Sequence, residues 1–384
     1  MTGDPAQEYF ADGLVEEIIT AISRLRWLFV IARNSAFTYK GRAVDIRQVG
    51  RELGVRYVLE GSVRKSADRI RISVQLIDGA TGNHIWADTM NGPLAEIFDL
   101  EDTIAEGVAG AIEPKLRSAE IERARRKPVA NLDAYDFYLR SLPHTVAGTA
   151  QDIVAALELL ERAIALEPAY ALAHAELAGC RLRQWLIGAA EPTAAFLSEG
   201  AALARKAVAL DHADADVLST AAIVVTMMEK DYAAGAEWIG ISTRINPNSS
   251  GAWARRGFIR CWMSEFQAGI EDFNRAMRLS PFDPATYMFQ AGLGMAYMYL
   301  HDWPVAIDWL RRSLSNNRHF APTYRFLVVC LAQSGRLDEA RQVVTELTRL
   351  DPLSSVRRSL IAGIRDEEPK RLYIESLRQA GLPE

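Results

Sequence analysis

The carboxy-terminal two thirds of the chain repeats itself. The segment ERAIALEP, ending on Pro168, has counterparts in RKAVALDH to His212, ISTRINP to Pro247, NRAMRLSP to Pro281, RRSLSNNR to Arg318 and TELTRLDP to Pro352. Successive steps are 44, 35, 34, 37 and 34 residues. A period of this length in helix-forming sequence restricts the fold to a stack of helical hairpins. No single unit can bury its apolar side alone, so each must pack on its neighbours and the stack must present an extended surface. Such a surface binds before it does anything else.

The bulk numbers narrow the class further. A chain of 384 residues holds two or three domains at about 100–200 residues each, and 49% hydrophobic content is ordinary for packed protein. The net charge of -5 is small and spread over both halves, which gives no basic field for nucleic acid or for an anionic membrane surface. Cys180, Cys261 and Cys330 sit mid-helix without CxxC or Cys/His spacing, as reduced core residues of a cytoplasmic protein would. The opening MTGDPAQEYFADG is polar and acidic, unlike a signal peptide, and the longest apolar run, around Ala221 to Met228, is far short of the ~20 residues of a membrane helix. The expectation is a soluble chain with no membrane span.

The amino-terminal third has a different pattern. Phe10, Leu14, Ile18, Ile19, Ile22 and Leu25 recur at three and four, which places them on one helix face. Trp27 to Arg33 is a short apolar, β-branched run and predicts a strand. Asp45 to Leu53 returns to helical spacing, with Gly54 as its C′ residue. Tyr57 to Lys65 and Arg69 to Asp78 predict a hairpin around Ser66 to Asp68, and His84 to Asp88 a third strand after the turn Thr81-Gly82-Asn83. Ile70, Ile72, Val74 and Leu76 alternate with Arg69, Arg71, Ser73 and Gln75, so this sheet has one buried face. A helix from about Leu94 to Arg126, broken or bent at Pro114, leads out of the domain.

The run from EYFADGLVEEIITAISRLRWLFVIAR through VRYVLEGSVRKSADRIRISVQLIDGATGNHIWADTMNG resembles the TolB amino-terminal-like (FlgO-type) domain of bacterial signalling proteins, over nearly all of residues 8–110. The resemblance implies a small mixed sheet with helices. In proteins of that pattern the domain usually follows a class III nucleotide cyclase domain or a winged-helix DNA-binding domain, and precedes tetratricopeptide repeats. Neither effector is present here, and the first strand implied just before Gly3-Asp4-Pro5 is missing as well. The chain therefore reads as a truncated or late-start version of a longer protein, with an exposed sheet edge through which it could self-associate.

From Asn131 onward the hairpins resemble tetratricopeptide repeats. Trp253, Gly257, Phe273, Ala276 and Pro281 fit that pattern, as do Leu293, Gly294, Tyr297 and Ala306, then Tyr324, Leu327, Ala340 and Pro352, and in the first hairpin Ala156, Leu160, Ala163 and Pro168. Small residues let helices approach, bulky ones fill the space opposite, and proline stops the second helix. His212 stands where proline is preferred, and Gly188 to Thr193 predicts a longer loop. The fold class expected is thus an α+β amino-terminal domain followed by an all-α tetratricopeptide-repeat solenoid. Its divisions are 1–115, a helical linker 116–130, about six hairpins over 131–352, and carboxy-terminal capping helices over 353–384.

In this repeat the first helices line the concave face. The inward positions are Met227, Met228, Phe258, Trp262, Met295, Met298 and Tyr299, with Arg183 toward one end and Arg325 toward the other. Methionine and aromatic side chains make adaptable apolar surface suited to a partner helix or an extended peptide, although a stripe at helical spacing is more often core between helices. Both readings stand at this level.

Other clusters carry less. Glu16, Glu17, Asp99, Glu101 and Asp102 read as solvated helix faces. His84, His144, His174, His212, His301 and His319 lack metal-ligand spacing. Gly292-Leu293-Gly294 lies inside a repeat helix rather than after a strand, and the basic residues Arg123, Arg125, Arg126 and Lys127 interleave with Glu113, Glu120 and Glu122. No catalytic, cofactor or metal site is expected. The sequence reads as a noncatalytic interaction or regulatory module of a bacterial signalling system. The alternatives are the accessory or truncated half of a class III adenylate cyclase, or of a winged-helix transcription regulator, whose effector lies outside this chain.

Overall fold

In a computed structural model of the chain, the alternation in Arg69–Asp78 becomes the central strand of a sheet whose apolar side is buried. The structure describes residues 5–25, 27–42, 44–66, 69–93, 97–128, 131–147, 149–280, 283–359 and 364–384. The tip of the expected Ser66–Asp68 turn, the start of the helix at Leu94, Pro281 and the residues ahead of Pro5 lie outside these. So do the side chains of Phe10, Asp99, Glu101 and Asp102.

The chain divides into two compact units, 1–120 and 121–384. In the first, helix α1 (Pro5–Ser23), α2 (Arg33–Phe37) and α3 (Ile46–Leu53) precede strands β1 (Tyr57–Ser66), β2 (Arg69–Asp78) and β3 (His84–Pro93), and α4 (Ile97–Arg126) follows. The sheet order is β1-β2-β3, both pairings antiparallel, with Tyr57 opposite Asp78 and an irregularity at Leu76/Ile77. Ile70, Ile72, Val74 and Leu76 pack with Leu14 and Ile18 of α1 and with Val108 and Ile112 of α4. Helix α3 begins where the Asp45 side chain accepts from the Arg47 amide at 2.9 Å, and ends at Gly54 with φ 66°.

Two expectations are corrected in this unit. Trp27 to Arg33 is not a strand: Leu28 N–H turns back onto the Leu25 carbonyl, Phe29 is 83% exposed, and Arg33 already begins α2. Without that run beside it, the sheet is antiparallel throughout the described residues rather than mixed. A short apolar run becomes a strand only when a neighbour supplies the ladder. The helix expected to be broken or bent at Pro114 is a single helix from Ile97 to Arg126 with Pro114 inside it.

The second unit holds six helical hairpins among the described residues: α5 (Ala134–Ala147) with α6 (Ala150–Leu166), α7 (Ala171–Leu186) with α8 (Ala194–Leu210), α9 (Ala215–Met228) with α10 (Tyr232–Ile245), α11 (Ser250–Trp262) with α12 (Phe266–Leu279), α13 (Thr286–Tyr299) with α14 (Trp303–Asn316), and α15 (Ala321–Gln333) with α16 (Leu337–Leu350). Helices α17 (Val356–Ser359) and α18 (Glu367–Gln379) end the chain. The fold is an α+β domain followed by a tetratricopeptide-repeat solenoid.

The repeat is visible in the backbone itself. Every second helix stops on a residue with φ between -148° and -126° and ψ between 79° and 104°: Glu167, Asp211, Asn246, Ser280, Asn317 and Asp351. These residues immediately precede the six positions of the sequence recurrence. A residue ahead of proline is driven to extended backbone. Since Asp211 before His212 and Asn317 before Arg318 adopt the same geometry, proline reinforces this turn without being required for it. The first helix of three hairpins also closes the turn behind it by a side-chain donor. Trp253 Nε1 donates to the Pro247 carbonyl at 2.7 Å, Tyr324 Oη to that of Arg318 at 3.0 Å, and His174 Nε2 to that of Pro168 at 3.0 Å.

Close approach explains the small residues. A Cβ on Gly257 would lie 2.9 Å from the Phe273 ring, and one on Gly294 2.5 Å from Leu310 Cγ. Gly292 is likewise filled by Phe273, so Gly292-Leu293-Gly294 is a packing feature of α13. The three cysteines are free and buried, and burial raises their thiol pKa values, that of Cys180 to about 11.

Among the described residues, five of the turns within hairpins contain one left-handed residue. Gly188 and Gly335 supply it, whereas Lys230, Ser264 and His301 adopt φ of 60°, 66° and 61° with a Cβ present. Left-handed backbone costs a residue with a side chain about 1–2 kcal/mol. His301→Gly relieves this and loses an edge contact with Trp303 at 5.0 Å, worth about 0.5–1.5 kcal/mol at most. The expected net gain is about 0.5 kcal/mol, read as a higher urea midpoint with an unchanged slope.

Candidate functional site

The solenoid places α7, α9, α11, α13 and α15 side by side on its concave face. The carboxy-terminal segment returns across that face. Arg365 N–H donates to the Trp262 carbonyl at 2.9 Å and its guanidinium to that of Met263 at 3.2 Å, while Arg358 Nη2 donates to the Ala190 carbonyl at 3.0 Å. Ala190 belongs to residues 187–193, the lengthened loop between α7 and α8, which thereby reaches the segment from the far side. In that loop Gly188 has φ 80° and leaves no room for a Cβ beside Asp351, whose Oδ1 would be 2.4 Å away. Helix α18 lies within the expected carboxy-terminal capping helices and carries charge on one side. Its other side buries Tyr373, Ile374 and Leu377, Tyr373 in the cluster that also holds Phe326 of α15.

Between the concave face and this segment lies a cavity of about 120 Å³, partly open to solvent. Of the nine residues expected along the groove and at its ends, Met227, Phe258, Trp262, Met295, Tyr299 and Arg325 line it. Met228 and Met298 do not, and their assignment to the groove is corrected. Met228 packs on Gly200 of α8, and Met298, buried like Met295, is not on the cavity wall. Neighbouring residues on a helix are turned by about 100°, so Met227 and Met228 cannot both face inward. Arg183, expected toward one end, pairs with Glu176 at 3.5 Å and is not on the cavity wall. The sequence did not point to Trp185, Met288, Phe320 and Phe326 on the solenoid side, nor to Arg358, Ser359, Ile364 and Tyr373 on the segment side. A tyrosine amid the charges of Glu367–Gln379 was the available signal for the last of these.

One end of the cavity is polar. Arg325 Nη2 donates to Asp351 Oδ2 at 2.8 Å and to Ser354 Oγ at 3.3 Å, and Arg358 Nη1 lies 3.8 Å from Asp351 Oδ1. These three side chains are 13%, 11% and 3% exposed, which makes this a largely desolvated cluster of two cations on one carboxylate. Burial raises the Tyr373 hydroxyl to about 12 against the opposing pull of Arg325 and a hydrogen bond with Ser359. Burial likewise drives the Tyr299 hydroxyl well above its usual range, and Tyr299 Oη has no hydrogen-bond partner among the described residues.

Several charges of the remaining sequence clusters are paired. Glu16 meets Arg33 at 3.0 Å, Arg125 meets Glu122 at 2.8 Å, and Lys127 and Arg123 both meet the buried Asp136. Among the described residues no group of three or more His, Cys, Asp or Glu side chains could hold a metal ion, and no helix is long and apolar enough to cross a membrane.

No protein-family profile matches the chain. A curated protein from Rhizobium meliloti (strain 1021), described as "Putative adenylate cyclase 3", is 41% identical over 230 residues, which are 60% of this chain and 39% of that protein. The chain thus spans about two fifths of the length of this relative. Solved structures with similar architecture include the APC/C hetero-tetramer Cut9-Hcn1 (TM-score 0.47, 14% identity, 73% of this chain and 48% of that one). They also include pilF of Pseudomonas aeruginosa (TM-score 0.38, 15% identity, 54% and 86%) and a tetratricopeptide repeat protein from Parabacteroides merdae (TM-score 0.38, 14% identity, 64% and 89%).

Proposed function

We propose that the chain is a noncatalytic interaction module of a bacterial signalling system, acting in the cytoplasm, whose solenoid groove recognises a helix or extended peptide of a protein partner. The observation that carries the reading is the groove floor. Phe258, Trp262, Met295 and Tyr299 form an adaptable apolar floor, buried here, and a segment of chain already lies against it through the hydrogen bond from Arg365 N–H to the Trp262 carbonyl. An incoming peptide would take the place of residues 364–366. The amino-terminal unit is read, from its resemblance to TolB amino-terminal-like domains, as the part that docks on an upstream effector. It could also pair with a second copy through the edges of β1 or β3.

The cyclase relative favours a more specific version, in which this chain corresponds to the accessory part of an adenylate cyclase and the catalytic part lies outside it. The purified chain is then expected to release no cAMP from ATP, and measurable synthesis would sink the noncatalytic reading.

The groove is tested by affinity capture from native cells with two variants of opposite effect. Arg365→Ala removes an exposed hold on the segment and is expected to raise recovery of the partner. Trp262→Ala, in protein whose helicity is unchanged, is expected to lower it. Equal recovery with both overturns the groove as the recognition surface.

A further inference from the structure

We propose that the cavity beneath the carboxy-terminal segment binds a small aromatic carboxylate. This goes beyond the partner-binding reading and does not depend on it.

Size sets the first limit. The volume of about 120 Å³ is below the roughly 150 Å³ of an engineered apolar cavity that takes up benzene, and the cavity is partly open to solvent, so one small ring is the most it encloses. The walls match a ring: Trp185, Phe258, Trp262, Phe320 and Phe326 contribute aromatic faces and edges, and Met227 and Met295 fill between them.

Polar groups on the cavity wall select the substituent. Tyr299 is 6% exposed and its hydroxyl has no partner among the described residues, an arrangement that leaves a buried donor unsatisfied until a ligand oxygen meets it. Arg325 and Arg358 also line the cavity and share the single carboxylate of Asp351, and no acidic side chain is among the lining residues. Two cations on one anion leave a net positive charge in a poorly solvated place, which favours a carboxylate and rejects an ammonium group. The ligand would touch both the solenoid and the segment that carries Arg358, Ile364 and Tyr373. Its occupancy would therefore hold that segment down.

The test is calorimetric titration of the full chain with benzoate, with toluene as the uncharged ring and benzylamine as the cationic one. Benzoate is expected to bind one per chain at least tenfold tighter than toluene, with no heat from benzylamine. Tyr299→Phe keeps the ring, is expected to leave the melting temperature unchanged or higher, and should weaken benzoate about tenfold, the worth of one hydrogen bond to a charged group. Ile223→Trp places bulk in the cavity and should abolish binding of both ring compounds. If Ile223→Trp does not fold, Tyr299→Phe decides alone. No saturable benzoate binding at millimolar concentration overturns the proposal, as does equal binding of benzoate and toluene. Benzoate affinity unaltered by Tyr299→Phe overturns it too.

Discussion

Phe273→Ala is expected to lower the unfolding free energy of the solenoid by about 3–5 kcal/mol. The ring is fully buried on α12, lies edge-on to Phe258 at 4.9 Å between centroids, and fills the space left by Gly257 and Gly292 on two successive first helices. It therefore closes two neighbour interfaces at once, and neither glycine can move in to replace it without carrying backbone along. In a repeat stack each unit is held chiefly by its neighbours, so the damage should show as a separate early transition in urea rather than a uniform shift. A loss under about 1 kcal/mol would mean that α11 and α13 close over the gap, and that the glycines are not there to admit the ring.

Asp351→Ala is expected to cost about 3–5 kcal/mol, because it leaves the Arg325 and Arg358 guanidiniums largely desolvated without their shared anion. Asp351 also ends α16 and abuts Gly188 in the loop that reaches over from α7. The substitution should thus loosen the carboxy-terminal segment before it unfolds the hairpins. The check is amide hydrogen exchange at Arg365, whose N–H is held by the Trp262 carbonyl, together with the melting temperature. Unchanged protection at Arg365 with a lowered melting temperature would assign Asp351 to the last hairpin alone.

The hairpins were legible because their determinants are local. The residue before each recurrent position, from Glu167 to Asp351, takes one backbone geometry. The helix pairs on either side of Gly257 and Phe273, or Gly294 and Leu310, meet only across one turn of chain. The alternation of Ile70, Ile72, Val74 and Leu76 likewise fixed the buried face of the sheet without knowledge of what covers it. Trp27 to Arg33 was not legible, since a short apolar run carries no mark of whether a neighbouring strand will be there to pair with it.

For the cavity the boundary falls in the same place. The period pointed to Met227, Phe258, Trp262, Met295, Tyr299 and Arg325, which line the cavity. Their neighbours Met228 and Met298 are separated from them only by rotation about the helix, which a period averaged over imperfect repeats does not resolve. The other wall was invisible to it. Arg358 reaches Ala190 across 168 positions and Arg365 reaches Met263 across 102, contacts that have no period and no local pattern. The sequence by itself determined the stack of hairpins, because helix-to-helix packing recurs with the chain. Only the tertiary structure decided that the groove is roofed by the chain's own end, because closing so long a loop depends on two distant surfaces fitting each other.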